Sequence, residues 1–193
     1  MIWAALTLGL AGAAAAPLQA EDPAPRQLGA WTVTVSKDRQ GCFLTRQYDR
    51  SGDTTLLLGL DRDGSNHLSV LNANWSIRPK DRLKLDFRLS RGSYPRHFAI
   101  GIASDGKRGF VTSFEPKFPG YFASAAMLAI ARGDVPVERL ALDGSGAAVT
   151  ALRRCVDGLR SPPRAQARDT VAPGDIPRDP FAHTPRHPSR QAR

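Results

Sequence analysis

The sequence predicts an α+β fold that is mainly β: an antiparallel sheet or sandwich with two late helices packed on it. Three observations predict it. Between Trp31 and Phe114, apolar and polar residues alternate in short segments separated by turn residues, the pattern of half-buried strands. The clearest segment, "RLKLDFRL", sets Leu83, Leu85, Phe87 and Leu89 against Arg82, Lys84, Asp86 and Arg88. One apolar and one charged face suit an antiparallel sheet with a solvated side, not a doubly wound parallel one. After "EPKFPG" the period changes to helical spacing.

The elements follow in order. "WTVTV" places Trp31, Val33 and Val35 on one face and Thr32 and Thr34 on the other. "CFLTRQY" and "TTLLLGL" read as the next strands, with "RSGD" turning between them. "HLSVLN" returns antiparallel to "LLLGL" through the turn "DRDGSN". "HFAIGIA" and "RGFVTSF" form a hairpin about "SDGK", which places His67 and His97 on the wet faces of their strands. "YFASAAMLAIARG" is rich in Ala, Leu and Met and ends at Gly133; Phe122, Ala125, Ala126, Ala129 and Ile130 share one helical stripe, so a helix is expected. "VPVERLAL" is a short strand. The last helix starts at Asp143 or Ser145 as N-cap, turns Ala148, Leu152, Cys155 and Leu159 inward, and stops at Gly158.

Domain organisation follows from composition. Residues 1–20, "MIWAALTLGLAGAAAAPLQA", are uncharged, apolar and end in small residues. They read as a signal peptide cleaved after Ala20, too alanine-rich for a membrane span. Residues 21–28 form a leader, 29–159 a single globular domain, and 160–193 a disordered Pro/Arg-rich tail without apolar periodicity. The chain is therefore expected to be periplasmic or secreted, with no transmembrane segment in its mature form. Lys and Arg number 27 against 18 Asp and Glu, a balance that favours anionic partners. RNP-like, zinc-finger and helix-turn-helix patterns are absent, so no nucleic-acid partner is expected.

Few residues carry chemistry. In an oxidising compartment, two cysteines separated by most of a domain predict one structural disulfide, Cys42 to Cys155; a catalytic thiol would need an exposed, electropositive setting. His183 and His187 are four apart, but Pro185 between them forbids an ordinary helix interior. With no HExxH and no Cys-rich spacing, no metal and no other cofactor is expected. Ser145 in "DGSGA" lacks the order of a nucleophile elbow and reads as a helix cap. "DRDG" at Asp61 to Gly64 starts like a calcium loop yet is followed by no Glu ligand, so it reads as a turn.

The order of a Trp-led strand, a Cys-led strand, "LNANWSI" followed by "LKLDFRL", an Ala-rich segment and "RLALDGSGAAVTALRRC" resembles small periplasmic alphaproteobacterial proteins loosely similar to the invasion-associated locus B group. The resemblance covers roughly Trp31 to Cys155. It implies a secreted, β-rich, non-enzymatic protein with a role at the envelope, and it brings no catalytic residues. The expected function is an exported, non-catalytic envelope-associated or binding protein. Its partner would be an envelope protein or an anionic surface. The alternatives are a small periplasmic hydrolase with its site around "EPKFPGY", or an adaptor that binds anionic envelope surface through its basic tail.

Overall fold

The computed structural model describes residues 24–160. Ten strands form one antiparallel sheet: β1 (Arg26–Leu28), β2 (Trp31–Val35), β3 (Gly41–Tyr48), β4 (Thr54–Asp61), β5 (Asn66–Asn72), β6 (Arg82–Leu89), β7 (Gly92–Ser104), β8 (Lys107–Ser113), β9 (Met127–Arg132) and β10 (Val135–Ala141). Two helices, α1 (Phe118–Ser124) and α2 (Ser145–Arg160), complete the fold. The strand order is β1-β2-β3-β4-β5-β8-β7-β6-β9-β10. The fold is α+β, mainly β, and of the two arrangements expected it is the single sheet.

Register follows the hydrophobic pattern, because a slip of one residue would turn every core side chain to solvent. One inner row runs Val33, Leu44, Leu58, Leu68 and Thr112 across β2, β3, β4, β5 and β8. Leu44, Leu58 and Leu68 are fully buried. Helix α2 covers this face, packing on β2, β3 and β4, with Ala148, Val149, Leu152 and Val156 inside. Cys42, paired with Val35 at the end of β2, is bonded to Cys155 of α2 across a sequence separation of 113, with Cα atoms 6.2 Å apart.

Several expectations are corrected. The segment from Tyr121 to Gly133 is not one helix: α1 ends at Ser124 and Met127–Arg132 is β9. Leu128 and Ile130 alternate inward on that strand, and pairing to both β6 and β10 overrides alanine's helix preference. Residues Arg26–Leu28, read as leader, form an edge strand on β2. Helix α2 runs through Gly158 to Arg160, whose guanidinium Nε donates to the Arg62 carbonyl at 2.8 Å. The Ser145 hydroxyl is not spent as a cap; it donates to the Phe122 carbonyl at 3.1 Å and ties α2 to α1. Asp143 contributes its carbonyl oxygen, not its carboxylate: the Trp31 indole N–H donates to it at 2.8 Å.

His97 is the most informative correction. On β7, Pro95 and Arg96 together oppose the single residue Asp86, since Leu85 pairs with His97 and Phe87 with Tyr94. Arg96 takes a positive φ of 51°, and its N–H donates to the Asp86 carboxylate at 2.7 Å. The extra residue inverts the phase of the strand beyond it. His97 therefore turns inward and stacks on Phe114 at 4.4 Å, while Phe98 points to solvent, 51% exposed.

Candidate functional site

The sheet curls until its last strand meets its third and fourth. Arg46 of β3 lies over the rings of Trp31 and Tyr48, 5.5 and 4.7 Å from their centroids. It donates to the carbonyls of Ala141 and Asp143 at 3.0 and 3.2 Å, and the Tyr48 hydroxyl donates to Ala141 at 2.7 Å. Arg50 and Thr54 both bind the Glu138 carboxylate at 2.9 Å. These bonds hold β10 over the end of β3, and they satisfy the polar atoms that the curl buries. They hold the scaffold; every polar group in them already has a protein partner.

Holding β10 there shapes an apolar cleft on one side. The connection between β5 and β6, residues 73–81, forms one wall. Asn72 fixes its start by donating to the Ser51 carbonyl and the Thr54 hydroxyl, both at 2.9 Å, and by accepting from the Asn74 N–H at 2.8 Å. Its end is laid on β7: the Lys80 N–H donates to the Gly101 carbonyl, and the Gly101 N–H to that of Asp81. This approach requires glycine, because a Cβ at Gly101 would collide with the Arg78 carbonyl oxygen. The result places Trp75 parallel to Phe110 with centroids 6.0 Å apart.

The β9–β10 turn forms the other wall, with Val135, 64% exposed, at its lip. Between the walls lies a cleft of about 340 Å³, floored by Leu83, Leu85 and Phe110; Arg132 at the rim is its one charged lining residue. Such a volume and lining suit a small apolar or aromatic group. Asn74 and Ser76 are the uncharged polar residues of its lining.

Among the described residues, the outer face carries a constellation with catalytic composition. Pairing of β5 with β8 puts His67 opposite Ser113. The His67 ring bridges the Ser113 hydroxyl at 2.8 Å and the Asp61 carboxylate at 2.9 Å, and Ser65 donates to the same carboxylate oxygen at 3.1 Å. Serine, histidine and aspartate are thus in series. Acyl transfer also needs N–H donors aimed at a developing oxyanion. Ser113 is paired with His67 of β5, and its carbonyl meets the His97 ring at 2.9 Å; no such set of donors converges beside its hydroxyl among the described hydrogen bonds. His67 thus lies on the wet face as expected, in a cross-strand polar chain.

The other sequence candidates fall as follows. Cys42 and Cys155 are joined. Asp61 to Gly64 is a turn closed by the Gly64 N–H on the Asp61 carbonyl at 3.0 Å. The "EPKFPGY" stretch supplies core: Phe118 and Pro119 are buried, and Phe118 stacks on Phe114 at 3.8 Å. Among the described residues, no group of His, Cys, Asp or Glu is arranged to hold a metal. His183 and His187, like residues 1–20 and the tail beyond Arg160, lie outside the described residues. The cleft was missed because its walls are about sixty residues apart in the chain; the half-apolar loop "ANWSI", too rich in large side chains for a solvated turn, was the available signal.

Burial pushes the Tyr48 hydroxyl up to about 12, with Arg46 and Arg50 pulling the other way. A tyrosine raised in the folded state favours folding below its ordinary value near 10, and that contribution is lost as pH rises from about 10 to 12. Tyr94, raised to about 12 by burial and its bond to Glu115, acts in the same direction. Urea denaturation between pH 8 and 11.5 is expected to show stability falling above pH 10. Tyr48→Phe should flatten that fall; an unchanged slope would remove Tyr48 from the account.

Fold and cleft together define a class: a small α+β domain in which one curled antiparallel sheet is fastened to a late helix by a single disulfide. No protein-family model matches the chain, and no curated protein does. Among solved structures the chain is similar to invasion associated protein B from Bartonella henselae, with a TM-score of 0.53 and 14% identity over 72% of this chain and 100% of that one. At that identity the likeness is one of fold. It agrees with the loose resemblance carried by "LNANWSI" and the closing "LDGS…L…C".

Proposed function

We propose that this chain is an exported, non-catalytic binding protein of the cell envelope, periplasmic or secreted, whose ligand site is the cleft beneath Trp75. The cleft carries the reading: a mainly apolar lining, an aromatic wall and one rim cation make a receptor for an apolar group. The Cys42–Cys155 disulfide supports export, since such bonds persist in oxidising compartments. No helix among the described residues is long and apolar enough to cross a membrane. The uncharged first twenty residues supply the export signal.

A second reading, a small hydrolase, is favoured by the Asp61–His67–Ser113 series alone. It ranks lower because the nucleophile has neither a cleft nor an oxyanion site beside it.

The test uses a neutral apolar fluorophore, N-phenyl-1-naphthylamine, titrated into the chain beginning at Glu21. Saturable binding is expected, weakened about tenfold by Val135→Asp, which sets a charge at the lip of an apolar site at little cost to an exposed position. Phe98→Asp, on the opposite face of the sheet, should leave binding unchanged. Equal binding by wild type and Val135→Asp would overturn the cleft as the ligand site.

A further inference from the structure

The outward face of the sheet is the least ordinary surface of the molecule. The register aligns Thr45, Leu57, Ser69, Val111, Ile100 and Arg82 in one outward row across β3, β4, β5, β8, β7 and β6. Ile102 stands two residues along β7 from Ile100, and Phe43 two residues along β3 from Thr45. Phe43, Leu57 and Ile102 line a shallow groove of about 570 Å³. Phe98, 51% exposed, extends the apolar surface toward β6. A solvated face of an antiparallel sheet is ordinarily polar; here Phe43, Leu57, Val111, Ile100, Ile102 and Phe98 stand on it among Thr45, Ser69, His67 and Ser113, and exposed apolar residues gathered on one face in this way point to an interaction surface.

Charge identifies the occupant. Lys84 pairs directly with Phe98, and Arg82 with Ile100; both basic residues are exposed, and neither enters an ion pair among the described residues. Residues 24–160 contain 21 Lys and Arg against 13 Asp and Glu, a net charge of +8. The greater share of the chain's basic character therefore lies on the folded unit and not on the tail. A second copy of the chain would bring two strongly positive units together. An anionic lipid surface satisfies both features at once, taking Phe98 and Ile100 into its interfacial zone while Arg82 and Lys84 meet the headgroups.

We propose that the outward face, centred on Phe98 with Arg82 and Lys84, docks this protein on anionic membrane. The face is separate from the cleft, whose lining points to the other side of the sheet, so either assignment can fail without the other.

The experiment is co-sedimentation of the chain beginning at Glu21 with vesicles of phosphatidylglycerol and phosphatidylethanolamine, against phosphatidylcholine alone. Binding to the anionic vesicles is expected, with little to the neutral ones and a steep loss on adding salt. Arg82→Gln with Lys84→Gln should weaken partition about 30-fold, from roughly 1 kcal/mol per basic residue at such a surface. Phe98→Asp should weaken it about tenfold or more. A full-length variant with Arg164, Arg168, Arg178, Arg186, Arg190 and Arg193 changed to Gln should retain most of the binding. Loss in that variant, with Arg82→Gln/Lys84→Gln unaffected, would assign docking to the tail and overturn the proposal. So would a dimer in sedimentation velocity that Phe98→Asp dissociates, with no vesicle binding, because the face would then belong to a second copy.

Discussion

Replacing both cysteines, Cys42→Ser with Cys155→Ser, is expected to cost about 3–5 kcal/mol of unfolding free energy. The bond closes a covalent loop across a sequence separation of 113, and in the chain-entropy model a loop of that length restricts the unfolded chain by about 5 kcal/mol before strain. Cys42 is 2% exposed and sits under α2, so paired serines also leave hydroxyls where a sulfur bridge had been. For a domain of this size the loss should lower Tm by roughly 10–15 °C. Thermal and urea denaturation of the double variant beside the oxidised parent measure it. A change below about 1 kcal/mol would show that α2 is held by its apolar face alone.

Trp31→Ala is expected to cost a similar amount, about 3–5 kcal/mol. Trp31 is fully buried, meets Phe122 edge-on at 5.8 Å, lies under Arg46 and donates to the Asp143 carbonyl. Truncation would leave a cavity at the point where β2, β3, α1 and the start of α2 converge. Trp31→Phe separates the contributions, keeping most of the ring contact but abandoning the Asp143 carbonyl, for about 1–3 kcal/mol. Denaturation curves of the two variants should rank Ala well below Phe. Equal losses would assign the whole effect to the hydrogen bond.

Helix α2 and strand β9 differ in how far their own sequences determine them. Helix α2 was legible because Ala148, Leu152, Cys155 and Leu159 fix its buried stripe within a single segment. Strand β9 was not: Leu128 and Ile130 alternate, but the alanines between them match a helix equally well, and only neighbours from β6 and β10 decide. The same holds at His97, whose face depends on a bulge set by Pro95, Arg96 and a carboxylate ten residues upstream of Arg96. The disulfide was legible because two cysteines permit only one intramolecular pairing. The cleft and the polar series at His67 were not, since each is a product of register and curl, which no local window contains. Function lies on the less legible side: the residues that could meet a ligand or a membrane are placed by strand pairing, not by motif.

The span of the disulfide has a consequence for proteolysis. Eight of the ten strands and α1 lie between Cys42 and Cys155 or start just before the first of them. A protease that cuts at an exposed turn inside that span, such as Asp105–Gly106 or Gly133–Asp134, divides the backbone but not the molecule. The two pieces remain one covalent body, already aligned in the sheet, so a single nick cannot shed a fragment. Cuts before Cys42 or after Cys155 have no such protection, and trimming from outside is confined to the two ends of the chain.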